Sequence, residues 1–265
     1  IRIQDPDGHV VSYRRGVLGE REALVYPGGK TVRYEYDTLR RLISMESDEG
    51  RYGFAYDENG RLSKRSLPNG ILTEYAYDLS GKLSMLESRD REGVLDRFTY
   101  LYDPNGNTTL VGKERRGLKE ESGQYRYTYD ACCRLVQTIK DGEIVESYGY
   151  DGFGNRSYAV TGGRRTEYTY DDANQLICSV TGDRVTDYRY DPRGNLLEQT
   201  EDHVHKKLFR YDALNHLREY IGEETSALYD YNGLGHRTRA QYFDKEHAGP
   251  IARSEERFSR NAETD

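Results

Sequence analysis

The sequence repeats itself. YGYDGFGNR, from Tyr148 to Arg156, returns forty residues later as YRYDPRGNL, from Tyr188 to Leu196. A search for aromatic-x-Tyr-Asp extends the series to Tyr36-Asp37, Tyr56-Asp57, Tyr77-Asp78, Tyr102-Asp103, Tyr129-Asp130, Tyr150-Asp151, Tyr170-Asp171, Tyr190-Asp191 and Tyr211-Asp212. A degenerate tenth copy, Tyr231-Asn232, lies inside YDYNGLGHR. Successive tyrosines are 20, 21, 25, 27, 21, 20, 20, 21 and 20 residues apart. QDPDG, Gln4 to Gly8, reads as an eroded earlier copy. Such a period decides the architecture first, because a unit this small cannot bury a core alone and must stack on its neighbours. A catalytic Tyr-Asp pair needs one copy, so ten copies argue for a structural role.

One repeat shows what is built. In LPNGILTEYAYDLSGKL, Leu67 to Leu83, Pro68-Asn69-Gly70 is a turn signal. Ile71, Thr73, Tyr75 and Tyr77 then alternate at period two, the mark of a half-buried strand. Asp78 ends the strand and is expected to accept hydrogen bonds from backbone N–H groups ahead of it, as an Asx-turn. Three residues after the Asp stand Gly60, Gly81, Gly106, Gly154, Gly194 and Gly235, with Asn174 and Asn215 in two other copies. Gly and Asn accept a left-handed backbone, so a turn requirement explains the choice without a ligand. Arg40 and Cys133 break that rule, and each is expected to carry about 1 kcal/mol of strain if the turn is kept. Each unit therefore reads as a β-hairpin, with the tyrosine ring packed between neighbouring strands. The fold class is all-β, in repetitive antiparallel hairpins. The longer spacings, over Leu86–Arg97 and Gly112–Gly123, read as extended, solvated hairpins. Three domains are expected: a divergent N-terminal repeat at 1–29, tandem repeats over 30–242, and a polar tail or linker at 243–265.

Tyrosine makes up 25 of 265 residues, beside 6 Phe and no Trp. The core should be thin and built from tyrosine, which joins an apolar ring to a polar tip. The net charge of −7, with both signs interspersed, argues against nucleic acid or an anionic membrane as partner. No apolar run approaches the ~20 residues of a membrane helix. The start shows no signal peptide and lacks a Met, as expected of a piece of a longer chain. Cys132, Cys133 and Cys178 are too few, and wrongly spaced, for a disulfide framework or zinc site.

Tyr-Asp-x-x-Gly-Arg/Asn-Leu/Arg at this period resembles the YD repeats of the Rhs and teneurin family. YDENGRL (Tyr56 to Leu62), YDGFGNR and YDPRGNL match closely, and the resemblance covers about four-fifths of the chain. It implies a long, curved, spirally wound sheet that forms a shell. In bacterial members the shell encloses a C-terminal toxin, and in teneurins it is extracellular and serves adhesion. The implied partners are the remainder of the shell and an enclosed toxin or effector polypeptide, with a cell-surface glycan as the alternative. The implied location is secreted or cell-surface, within a larger exported bacterial protein. Members usually close with a core segment containing Asp-Pro-x-Gly, the site of autoproteolysis. Asp103-Pro104-Asn105-Gly106 and Asp191-Pro192-Arg193-Gly194 look similar but sit inside ordinary repeats and read as turns. Protease and toxin roles therefore transfer to no residue of this chain.

No nucleophile elbow, phosphate loop or H-E-x-x-H is present, and no cofactor is expected. His203 and His205 form an H-x-H pair that would need Glu201 or Asp202 to hold a metal. It reads as a solvated loop, and His216 and His236 read as repeat variants. The leading expectation is a non-enzymatic stretch of shell wall. The rival is a carbohydrate-binding or adhesion module with tyrosines stacked on sugars. Unpaired sheet edges would invite edge-to-edge self-association.

Overall fold

A computed structural model describes residues 1–4, 8–245 and 252–254. Residues 5–7 of the QDPDG stretch, and 246–251 and 255–265 of the predicted tail, lie outside the described residues. The chain divides into two units, Ile1–Ile144 and Val145–Asp265.

The first unit contains β1 (Arg2–Gln4), β2 (Val10–Arg15), β3 (Arg21–Val25), β4 (Thr31–Tyr36), β5 (Leu42–Ser47), β6 (Gly50–Tyr56) and β7 (Leu62–Ser66). It continues through β8 (Leu72–Tyr77), β9 (Leu83–Asp90), β10 (Gly93–Tyr102), β11 (Thr108–Arg115), β12 (Gly123–Tyr129) and β13 (Leu135–Lys140). β14 (Glu143–Tyr150) opens the second series. It is followed by β15 (Arg156–Thr161), β16 (Arg164–Tyr170), β17 (Leu176–Thr181), β18 (Arg184–Tyr190) and β19 (Leu196–Glu201). Then come β20 (His205–Tyr211), β21 (Leu217–Ile221), β22 (Thr225–Tyr231), β23 (Arg237–Asp244) and β24 (Ala252–Ser254). Within each unit every strand pairs antiparallel with the next in sequence, a meander of hairpins. β23 runs on through Asp244 and pairs with β24, so this part of the predicted tail is strand.

The strands are joined by tight turns at both edges. After each repeat tyrosine comes a tight turn with a bulge. At Asp57 the N–H of Gly60 donates to the Asp57 carbonyl at 3.0 Å, and the Asp57 N–H to the Arg61 carbonyl at 2.8 Å. Gly60 has φ +80°, and the register slips between Ala55 and Tyr56. This is a type I turn closed by a left-handed bulge residue. Arg40 (φ 65°) and Cys133 (φ 59°) hold the same conformation, so the turn is kept there against its steric cost. The opposite edge repeats this turn at Tyr26–Lys30 and Leu67–Ile71, and elsewhere carries other reversals, such as Gly162-Gly163, both at positive φ.

Alternation gives each sheet two unlike faces. Tyr75 and Tyr77 share one face, and cross-strand pairing sets Leu86 and Leu83 beside them. The other face of the first unit carries a row of charge: Lys64, Glu74, Glu87, Arg97 and Glu114 are successive cross-strand partners. Lys64 and Arg97 bond Glu74 and Glu114 at 2.8 Å each, and Glu87, buried to 2%, is paired by Arg89 and Arg97. Most other buried residues are small, such as Ala23, Ser44 and Thr73 in the first unit and Ala159, Ala227 and Ala240 in the second, with Val11, Leu24 and Val111 the larger buried apolar side chains. Each unit is a single layer, in which half-buried tyrosines take the place of a thick interior.

The two longer repeats differ from one another. Leu86–Arg97 is one extended hairpin, β9–β10. The stretch 112–123 is instead interrupted by a 3₁₀ turn, Lys119–Glu121. Its chain turns back on β11: the Arg115 N–H donates to Ser122 Oγ at 2.9 Å, and the Arg115 guanidinium pairs with Glu121.

Candidate functional site

The recurring site is a seam where one turn meets the next. It starts at the aspartate. Asp57 Oδ1 accepts from the N–H groups of Asn59 at 3.0 Å and Arg61 at 2.8 Å, while Oδ2 accepts from Arg61 Nε at 2.7 Å. The Oδ1 pattern recurs at Asp37, Asp130, Asp151, Asp171, Asp191 and Asp212, and at Asn232 in the degenerate copy. At Asp78 and Asp103 the bond to the fourth residue on is present, from Lys82 at 2.9 Å and Asn107 at 2.8 Å. Hydrogen bonds to the charged form lower a carboxyl pKa. The Arg41 N–H holds Asp37 below the usual carboxylate range, the Asn107 side chain does so for Asp103, and the Asn195 side chain for Asp191.

The tyrosine closes the seam backwards. Tyr56 Oη donates to the carbonyl of Leu42, in the previous repeat, at 2.8 Å. Tyr77 reaches Leu62, Tyr102 reaches Leu83, Tyr129 reaches Thr108, Tyr170 reaches Arg156 and Tyr231 reaches Leu217, at 2.7–3.1 Å. Burial pushes the phenols of Tyr56, Tyr102, Tyr129, Tyr190 and Tyr211 above their usual pKa.

A third residue joins the two, and sequence reasoning missed it. The side chain four after the Asp lies over the tyrosine ring of the next repeat. Arg41 stands 4.7 Å from the Tyr56 centroid, Arg61 4.4 Å from Tyr77, and Lys82 5.1 Å from Tyr102. His216 stacks on Tyr231 at 4.7 Å and 15°. The position reads Arg41, Arg61, Lys82, Asn107, Arg134, Asn155, Gln175, Asn195, His216 and His236, a side-chain donor in every copy. That uniform donor chemistry was the available signal. Its members change along the chain, from mostly cations, through amides, to histidines. In the amide stretch Asn155 and Asn195 donate to Asn174 and Asn215 of the following turns, at 2.8 and 2.9 Å.

Gly16–Glu20, between β2 and β3, makes the same turn without Tyr or Asp, and Arg40 reaches its Leu18 carbonyl at 2.7 Å. Its marks in the sequence were the 21-residue spacing from Gly16 to Asp37 and Gly19 at the left-handed turn position. The tips on this edge are apolar in many copies. Val17, Leu18, Leu39 and Leu79 in the first unit are 68–110% exposed, as are Phe153, Leu214 and Leu234 in the second.

His203 and His205 do not share a site. His203 approaches Asp187 at 3.4 Å, and His205 pairs with Glu223 at 2.8 Å. No cluster of three or more metal-binding side chains occurs among the described residues. Cys132 and Cys133 are exposed, and Cys178 is a half-buried free thiol whose pKa burial raises. None of the described helices is long and apolar enough to cross a membrane.

Two family models match: the teneurin YD-shell over residues 110–253, more than half of the chain, and the RHS repeat over residues 56–95. The chain belongs to the Rhs/YD-shell family. Among curated YD-shell relatives, double-stranded DNA deaminase toxin A of Burkholderia cenocepacia is 36% identical over 80 residues, 30% of this chain and 6% of that protein. The tRNA nuclease WapA of Bacillus subtilis is 32% identical over 132 residues, 49% of this chain and 5% of that protein. Human teneurin-4 is 29% identical over 135 residues, 46% and 5% respectively. This YD-shell chain thus spans about a twentieth of the length of the curated relatives it matches. Among solved structures, the Tc holotoxin pore of Photorhabdus luminescens aligns over 95% of this chain and 18% of its own, at 15% identity and TM-score 0.45.

Proposed function

We propose that this chain is a non-catalytic stretch of shell wall in a larger exported or cell-surface Rhs protein, and that the wall encloses a toxin or effector polypeptide. The observation that carries the reading is the single-layered sheet sealed by a repeating seam. A sheet with few buried residues and two unlike faces is a partition, and each seam closes the gap between successive hairpins. The repeat tyrosines and aspartates are structural: they hold the wall and touch no substrate. The exposed apolar tips of the tyrosine-aspartate edge suit contact with further wall, since apolar surface gains by leaving water. The domain plan proposed from sequence stands beside this: a divergent first repeat at 1–29, tandem repeats over 30–242, and a polar tail or linker at 243–265, part of which is strand.

The test is limited proteolysis of the full-length polypeptide that carries this strip. The enclosed segment is expected to resist cleavage while the seams are intact. It should become cleavable when Asp57→Ala and Asp130→Ala open two of them. Equal cleavage of that segment with and without the substitutions overturns the reading.

A glycan-binding reading has one observation in its favour. A groove of about 540 Å³ between two successive turns of the second unit is lined by Phe153, Tyr168, Tyr170, Asp172 and Asn174, rings beside planar polar groups. Glycan-array binding lost in Phe153→Ala with the fold retained would favour it. The wall reading expects no binding.

A further inference from the structure

Four histidines, His203, His205, His216 and His236, fall within the last hairpins of the second unit. Two of them join hairpin β20–β21 to hairpin β22–β23, one at each edge of the sheet. At the tyrosine-aspartate edge, His216 Nδ1 lies 3.2 Å from Asp212 Oδ2, and its ring stacks on Tyr231 of β22. At the opposite edge, His205 Nδ1 lies 2.8 Å from both carboxylate oxygens of Glu223, in the turn leading into β22. The backbone ladder between the clamps is short: Glu219, Tyr220 and Ile221 pair with Leu228, Ala227 and Ser226. The β22–β23 ladder, by contrast, runs through seven pairs. In the first unit, Arg41 and Arg61 fill the place of His216, and a guanidinium keeps its charge at any ordinary pH.

We propose that hairpin β22–β23 is a pH-gated flap, clamped at the edge opposite the tyrosine-aspartate turns while His205 is protonated and loosened when it loses its proton. An imidazolium makes a charge-assisted bond to a carboxylate, roughly twice as strong as a neutral one. Deprotonation removes that gain. Glu223 faces His205, Asp202 is close by, and Glu201, across the β19–β20 ladder, is itself paired with Arg184 of β18 at 3.0 Å. The nearest cation along the strand, Lys206, is turned to Glu198 at 2.8 Å. Glu223, by hydrogen bond and then by charge, holds the His205 proton above the usual histidine range. His216 faces Asp212 and Tyr231, with the turn that carries His236 beyond it. From the preceding turn, the Arg193 guanidinium is held by the Ala213 carbonyl. Arg218 and Asp230, paired at 3.1 Å, hold β21 to β22 independently of pH in this range. The flap therefore loosens without detaching.

The sign follows from the raised His205 value. Stabilisation from a raised folded pKa is fully present below the unfolded pKa, about 6.5, and is lost as pH rises through the folded one. The test is amide hydrogen exchange of the whole chain between pH 5.5 and 8.5, corrected for the intrinsic rate at each pH. Peptides from 225–244 are expected to open up to about fivefold more readily at the alkaline end, while peptides from β6–β9 keep constant protection. His205→Gln should flatten the response at the loosened level. His205→Arg, which can pair with Glu223 at any of these pH values, should restore protection at alkaline pH, which separates a lost clamp from a misfolded hairpin. An unchanged pH response in His205→Gln, or the same response in β6–β9, overturns the proposal.

Discussion

Tyr56 donates its phenolic proton to the carbonyl of Leu42 at 2.8 Å, and the two belong to different repeats. The Arg41 guanidinium covers the same ring from the earlier turn. One side chain is thus held twice by its predecessor. Tyr56→Phe keeps the ring and removes the bond, leaving a half-buried carbonyl without its partner. Urea unfolding should show a loss of about 1 kcal/mol. Tyr56→Leu should lose more, because the stacking goes as well.

The aspartates set the acid limit of the fold. Asp37, Asp103, Asp130, Asp191 and Asp212 are all held below the usual carboxylate range by hydrogen bonds within their turns. A depressed folded pKa gives stability that is present above the unfolded value, about 3.9, and is lost as pH falls through the folded one. The urea midpoint should hold steady from pH 7 to 5 and fall below about pH 4. Replacing Asp103 and Asp191 with Asn should shallow that fall.

Cys133 holds φ 59° where most copies have Gly. Cys133→Gly should raise stability by up to roughly 1 kcal/mol, offset in part by the added freedom of the unfolded chain. A thermal melt of the variant under reducing conditions checks it. A lower melting temperature would contradict the strain argument.

Gly149 lies under the ring of Tyr158, its cross-strand partner, and a β-carbon there would meet ring carbon Cε1 at 2.1 Å. Arg165 lies over the same ring, at 4.0 Å from its centroid. Gly149→Val should therefore displace a stacked pair, at about 1–3 kcal/mol. Val is the better strand former, so a pure propensity argument predicts the opposite sign. Chemical denaturation decides between them.

The hairpin period, the Asx-turns and the left-handed turn position were legible because each depends on residues within a few positions of one another. The contact of Arg41 with Tyr56 was not, since it depends on register across a strand pair. The sequence marks it only by donor chemistry at the fourth residue after the Asp. The first turn, Gly16–Glu20, was hidden because backbone geometry alone survives there. The histidine pair read as a solvated loop, and its spacing gave no sign that each ring meets its own carboxylate, because Asp187 and Glu223 lie far along the chain. The 3₁₀ turn at Lys119–Glu121 rests on Ser122 and Glu121 finding Arg115, which spacing does not reveal.

The phenol bonds of Tyr56, Tyr77, Tyr102, Tyr129, Tyr170 and Tyr231 all point the same way, from a later hairpin to a carbonyl laid down earlier. Such a strip has a direction of assembly. As the chain emerges during synthesis, each hairpin finds its acceptor already in place and locks without waiting for anything downstream. Damage propagates by the reverse rule: stripping the last hairpin leaves the one before it fully latched, while losing an early one unseats its successor. The strip behaves as a ratchet with a protected beginning and an expendable end.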